Sequence, residues 1–197
     1  MNWLAQNGFE LAAVVITLLS IWLATREHIG YYPTGLVALA MYTWLYYTAK
    51  LYAESLLQII CFALMLYGWY AWLYGGARHT QLPVTRTPRW GWVAGVASGV
   101  LASAATIWIQ LTYTDNPNPY VDSSLFAWSL VAQWMTARKW LENWILWVLV
   151  NTVSVPLYYV RDLKLTAVLY VGLWILAVVG YRDWKRSMHG AHLSDGS

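Results

Sequence analysis

Seven long apolar runs, separated by short polar breaks, fill this chain from Phe9 to Tyr181, and no other feature limits its fold as tightly. A helix that crosses a bilayer needs about 20 mainly apolar residues, within a range of roughly 17 to 25. The runs fall near 9–25, 31–48, 53–74, 90–112, 122–137, 142–160 and 164–181, and each is predicted to form one spanning helix. The first and fifth are short, so they are expected to extend past these limits. Of the 197 residues 59% are hydrophobic and 11% charged, against about 25% charged in a soluble domain. A chain this small cannot enclose so much apolar surface in one core. The expected class is an all-α membrane protein partnered by the lipid bilayer, with a transmembrane domain over residues 1–181 and a cytoplasmic tail over 182–197.

The charges assign an orientation. Arg26, Arg78, Arg86, Arg89, Arg138, Lys139, Arg182, Lys185 and Arg186 fall on one side of the seven runs; Lys50, Arg161 and Lys164 fall on the other. Basic residues collect on the cytoplasmic face, which predicts an external N-terminus and a cytoplasmic C-terminus. The loop "TDNPNPYVD" between runs 4 and 5 has two Asp and no base, in keeping with an external position. The leading segment "MNWLAQNGFELAAVVITLL" lacks a basic start and an A-x-A site, so it is not read as a removable signal. A net charge of +3 is too small to imply a nucleic-acid partner. The single cysteine, Cys61, rules out an internal disulfide and is read as a small buried hydrophobe.

A shift of 112 residues lays the first three runs over the last three without a gap. Trp22 then meets Trp134, Arg26 meets Arg138, and "LYY" at 45–47 meets "LYY" at 157–159. Leu51 meets Leu163, Gly68 meets Gly180, and Trp72 meets Trp184. Leucine matches are cheap in membrane helices, whereas the Trp, Arg, Gly and triplet matches are not. The predicted plan is 3+1+3: repeat 1 over about 9–74, a linker helix at 90–112, and repeat 2 over about 122–181. Only a linker that crosses once lets the two repeats run parallel, as in one class of secondary transporters.

Polar residues inside these runs mark a candidate site. In "WLENWILWVLVN", Asn143, Trp147 and Asn151 lie four residues apart, and Trp144 precedes Trp147 by three. On a helix they share one stripe of amides and indoles. An unpaired amide in hydrocarbon costs several kcal/mol, so the stripe is expected to face protein or a wet cavity. Asn side chains also act as plain interhelical glue, which leaves two roles open. Run 3 tilts the balance, since Gln58, Met65 and Trp69 fall close to one face below Glu54 and suggest a second wall of the same cavity. In run 5, Ser129 and Gln133 lie one turn apart and are further candidates. Indoles beside amides suit a flat, hydrogen-bonding, cationic ring. Asp122 is expected to cap run 5, Trp72 and Trp184 to anchor in the interfacial belt, and Pro156 to bend run 6.

The segments "RKWLENWILWVLVNTVSVPLYY" and "LYAESLLQIICFALMLYGWYAW" resemble the hallmark segments of the PnuC family of bacterial vitamin transporters. With "VDSSLFAWSLVAQ" and the final "LTAVLY…GYRDWKR", the resemblance covers nearly all of residues 9–186. It implies uptake of nicotinamide riboside across the inner membrane by facilitated diffusion, with trapping by a cytoplasmic kinase and with no ATP, ion coupling or cofactor. It also implies a fold akin to the SWEET sugar transporters and a homotrimer. The family's binding residues correspond to Asn143, Trp144, Trp147 and Asn151, with Gln58 and Trp69. Thiamine is also a flat aromatic cation, so the stacking argument serves it equally.

Two rival classes remain on sequence grounds. An intramembrane enzyme would need a nucleophile with its base, or metal ligands. The histidines His28, His79, His189 and His192 fall in loops or the tail, and no Walker-type loop is present. No catalytic or metal-binding residue is therefore assigned. A non-transporting scaffold or capture subunit would share both stripes without alternating access.

Overall fold

The structure is a computed structural model that describes residues 3–48, 52–115, 118–162 and 164–194. Lys50, Leu51 and Leu163 lie outside the described residues, as does the side chain of Glu54. Among the described residues seven α-helices follow one another: α1 (Trp3–Thr25), α2 (Tyr31–Thr48), α3 (Tyr52–Tyr74), α4 (Arg89–Tyr113), α5 (Pro119–Ala137), α6 (Asn143–Val160) and α7 (Lys164–Ser194). The shortest have 18 residues, about 27 Å at 1.5 Å per residue, close to the thickness of a hydrocarbon core. Helices over Arg89–Tyr113, Asn143–Val160 and Thr166–His189 are both long and apolar enough to cross a membrane. Shorter apolar stretches lie in α1 at Leu11–Thr25 and in α3 at Gln58–Tyr74.

As expected from their short runs, α1 and α5 start earlier, at Trp3 and Pro119. Pro119 suits a first turn, where its missing N–H would have had no intrahelical acceptor. α7 departs further from expectation and continues to Ser194. Arg182, Lys185 and Arg186 mark the end of the apolar surface, but charged straight-chain residues are good helix formers, so the backbone does not stop there.

The internal repeat is written into the backbone. A shift of 112 carries Tyr31–Thr48 onto Asn143–Val160, the start of α3 at Tyr52 onto the start of α7 at Lys164, and the end of α1 at Thr25 onto the end of α5 at Ala137. The turns after α1 and α5 match bond for bond. Glu27 N–H donates to Ala24 O at 3.0 Å and His28 N–H to Leu23 O at 3.0 Å; their counterparts are Lys139 to Thr136 O at 3.0 Å and Trp140 to Met135 O at 3.1 Å. Glu27 and Lys139 both take a left-handed backbone, with φ of 54° and 50°. A side chain other than Gly, Asn or Asp is uncommon there, so the same unusual turn at both places supports a common origin.

The chain divides into two compact units, residues 1–83 with 182–197, and residues 84–181. In the first unit, Met65 is 4% exposed and its methyl fills the space beside Gly35. Trp72 and Trp184, 2% and 0% exposed, pack edge-on with ring centroids 5.7 Å apart. Trp184 Nε1 donates to Ala24 O at 2.9 Å, satisfying a carbonyl in the last turn of α1. The interfacial role expected for these two tryptophans is corrected: they are core residues, and they occupy equivalent places in the two repeats.

In the second unit, the linker helix α4 lies on α5. Gly91, Gly95 and Gly99 form a buried stripe, and a Cβ on Gly99 would stand 3.2 Å from the Trp128 ring. Small residues at four-residue spacing let two membrane helices approach closely. Trp90, Trp134 and Trp140 cluster at the start of α4, with Trp134 and Trp140 centroids 4.9 Å apart. Arg138 lies over two of those rings, 5.8 Å from Trp90 and 5.7 Å from Trp140.

Candidate functional site

The second unit assembles its polar stripe along the seam of α5 and α6. Two contacts fix the antiparallel register. Trp147 Nε1 donates to Thr136 Oγ1 at 3.2 Å, and Arg161 Nη2 donates to Asp122 Oδ2 at 2.8 Å. Both helices rise equally per residue, so Ser129 falls level with Ser154, Gln133 with Val150, and Asn151 with the fully buried Ala132. Asp122 is therefore no cap: Asn118 takes that position, and Asp122 sits in the first turn as an ion-pair partner.

Thr136 is the junction of this seam. Its hydroxyl accepts the Trp147 indole proton, and its own single proton lies within reach of Ala132 O at 2.9 Å and Asn143 Oδ1 at 3.0 Å. Asn143 is wholly buried. It donates from Nδ2 to Trp140 O at 2.6 Å, so both ends of its amide are engaged within the protein. Trp144, 2% exposed, packs against the backbone of α7: a Cβ on Gly180 would lie 2.5 Å from Trp144 Cε2. These side chains lock the start of α6 in place.

Asn151 differs from Asn143. It is 3% exposed, and among the described residues its amide has no hydrogen-bond partner. A buried primary amide offers two donors and an acceptor, and leaving them unmade costs about 1–3 kcal/mol. Trp147, half-buried, packs against a core that includes Met135 and Leu146 while its N–H edge is held by Thr136. Ser129, half-buried, donates to Leu125 O at 2.7 Å. Gln133 is half-buried on α5.

Gln58 and Trp69 belong to the first unit, both half-buried on α3. Met65, which the spacing places beside them, is committed to packing under Gly35. Thr136 and Ser154 were missed by sequence reasoning. Ser154, 2% exposed, follows Asn151 by three positions and extends the stripe. Thr136 precedes Trp147 by 11, on another helix, and only the fold reveals that proximity.

Glu142, the acid of the same segment, is structural. Its Oε2 accepts from the backbone N–H and the hydroxyl of Thr87, both at 2.8 Å. Thr85 pairs with the chain at Trp140 as a parallel bridge, through Thr85 N–H to Lys139 O at 3.1 Å and Leu141 N–H to Thr85 O at 2.9 Å. The loop before α4 is thereby tied to the start of α6.

Comparison with known proteins gives a consistent picture. The family model described as nicotinamide mononucleotide transporter matches residues 7–186. The chain is 28% identical to the nicotinamide riboside transporter PnuC of Escherichia coli (strain K12), covering 92% of this chain and 86% of that protein. It is 25% identical to the riboflavin/roseoflavin transporter RibM of Streptomyces davaonensis, covering 93% and 92%. The fold matches the crystal structure of the vitamin B3 transporter PnuC with a TM-score of 0.74 at 23% identity, over 93% of this chain and 83% of that one.

Proposed function

We propose that this chain, which belongs to the nicotinamide mononucleotide transporter family, carries nicotinamide riboside down its concentration gradient across the bacterial inner membrane. The carrying observation is the seam of α5 and α6, where Asn151 is buried with its amide free among the described residues, one turn from an indole held by its edge. A pyridinium ring stacks on Trp147, and the ligand's carboxamide or ribose hydroxyls supply the hydrogen bonds Asn151 lacks. Ser129 and Gln133 add polar contacts from α5. Asn143 and Trp144 bear on the substrate by holding the start of α6.

Charge favours the riboside over the mononucleotide. A phosphate carries about −1.5 to −2 charges at neutral pH, and burying it without a cation is expensive. Asn143, Trp147, Asn151, Ser154, Ser129, Gln133 and Thr136 include no base. They include no titratable acid either, and Asp122 at the outer end of the seam is paired with Arg161, so none of these seven residues would bind and release a coupling proton, which supports uniport. A cytoplasmic kinase then traps the riboside by adding the phosphate that this stripe disfavours. In the membrane the N-terminus is external and the C-terminus cytoplasmic, by the distribution of Arg and Lys, residues 1–181 form the transporter domain, and the assembly is a homotrimer.

Riboflavin is a second reading, favoured by the likeness to RibM over 93% of the chain; its flat ring stacks on an indole but carries no positive charge. Calorimetric titration of the purified protein with nicotinamide riboside, the mononucleotide, thiamine and riboflavin separates these ligands. Tightest binding is expected for nicotinamide riboside, weakened about tenfold or more by Asn151→Ala or Trp147→Ala. Wild-type affinity in both variants would remove the site assignment.

A further inference from the structure

We infer that Thr136 is the positioning residue of the substrate site, setting the orientation of the Trp147 indole through a hydrogen bond to its N–H. The inference rests on the assignment of Trp147 as a substrate contact. An indole has one polar atom, and a tryptophan side chain turns about two bonds. Without an acceptor, Trp147 would be held by packing alone against the core that includes Met135 and Leu146. Thr136 Oγ1, 3.2 Å from Nε1, pins the N–H edge of the ring.

Thr136 is itself tightly held. It is 2% exposed, and its hydroxyl proton points toward Ala132 O or Asn143 Oδ1, which leaves its lone pairs aimed away from those acceptors and available to Trp147. Asn143 is fixed in turn by Trp140 O. The chain of contacts runs from the turn after α5, through an amide and a hydroxyl, to the ring that stacks on substrate. Such a network constrains the ring more than any one of its bonds would.

The repeat adds an independent argument. The positions in α1 and α2 equivalent to Thr136, Asn143 and Trp147 are Ala24, Tyr31 and Gly35. None of these three preserves the residue type, although the backbone turn between them is the same in both repeats. The turn therefore does not require the hydroxyl, the amide or the indole. The three occur together in the second repeat only, as expected of a set with a common task beyond folding.

The test is a double-mutant cycle in the full-length protein in detergent, read as affinity for nicotinamide riboside. Thr136→Val keeps the shape and removes both the acceptor and the donor; Thr136→Ser keeps the hydroxyl. Valine is expected to weaken binding about fivefold to tenfold, and serine by less than about twofold. In a Trp147→Phe background, which has no N–H to hold, Thr136→Val is expected to add less than about twofold, because coupled residues are not additive. An equal loss in both backgrounds, a serine variant as weak as the valine variant, or no loss with valine would each overturn the inference. If Trp147→Ala binds as wild type, the site assignment itself fails; if Trp147→Ala weakens binding and Thr136→Val does not, the role of Thr136 alone fails. Should valine prevent folding, the serine variant and the Thr136→Ala variant carry the same comparison.

Discussion

Replacing Asn151 by leucine should move affinity and stability in opposite directions. Asn151 is 3% exposed with no hydrogen-bond partner among the described residues, so in the empty protein its amide carries a desolvation penalty of at most about 1–3 kcal/mol. Leucine is similar in size and has nothing to desolvate. At about 2–4 °C per kcal/mol for a chain of this length, the melting temperature of the empty protein is expected to rise by a few degrees. The substrate loses one or two hydrogen bonds at about 0.5–1.5 kcal/mol each, about 0.5–3 kcal/mol in all, or roughly 2- to 150-fold in affinity. Thermal unfolding without ligand and calorimetric titration of the same preparation measure both. A melting temperature lowered by several degrees with affinity unchanged would make Asn151 a structural bridge and refute the reasoning.

Gly180→Ala would put a methyl 2.5 Å from Trp144 Cε2; overpacking of about 1–3 kcal/mol outweighs the gain of about 1 kcal/mol in helix propensity, and Trp144→Phe should restore part of the lost melting temperature. Trp184→Phe removes the 2.9 Å bond to Ala24 O, which keeps Glu27 N–H as its remaining donor, so the lost hydrogen bond should cost about 0.5–1.5 kcal/mol in thermal unfolding, whereas an interfacial tryptophan would tolerate the change. Glu142→Ala unties Thr87 and should cost about 1–3 kcal/mol for the same reason, with Glu142→Gln retaining more of the melting temperature than alanine.

The features legible in the sequence were those that recur along the chain. The 112-residue shift survives as matched helix ends and a matched left-handed turn at Glu27 and Lys139, because a turn is set locally by a few residues. The amphipathic stripe of Asn143, Trp147 and Asn151 was legible because four-residue spacing is enough to put side chains on one helix face. What the sequence hid depends on contacts distant in the chain. Hydropathy cannot distinguish a tryptophan at the membrane surface from Trp184, buried against Ala24 and Trp72, since the indole is the same in both places. Nor does spacing along one helix distinguish Asn143, whose amide is used up by Trp140 and Thr136, from Asn151.

Downhill flux of labelled nicotinamide riboside into proteoliposomes containing only this chain is the most direct test. With equal ion concentrations on both sides, no ATP and no membrane potential, entry is expected to saturate with concentration, to accelerate when unlabelled riboside is inside, and to fall when Asn151 or Trp147 is replaced by alanine. Binding in detergent without any flux under these conditions, or flux that appears only when a proton or sodium gradient is imposed, would contradict a uniporter.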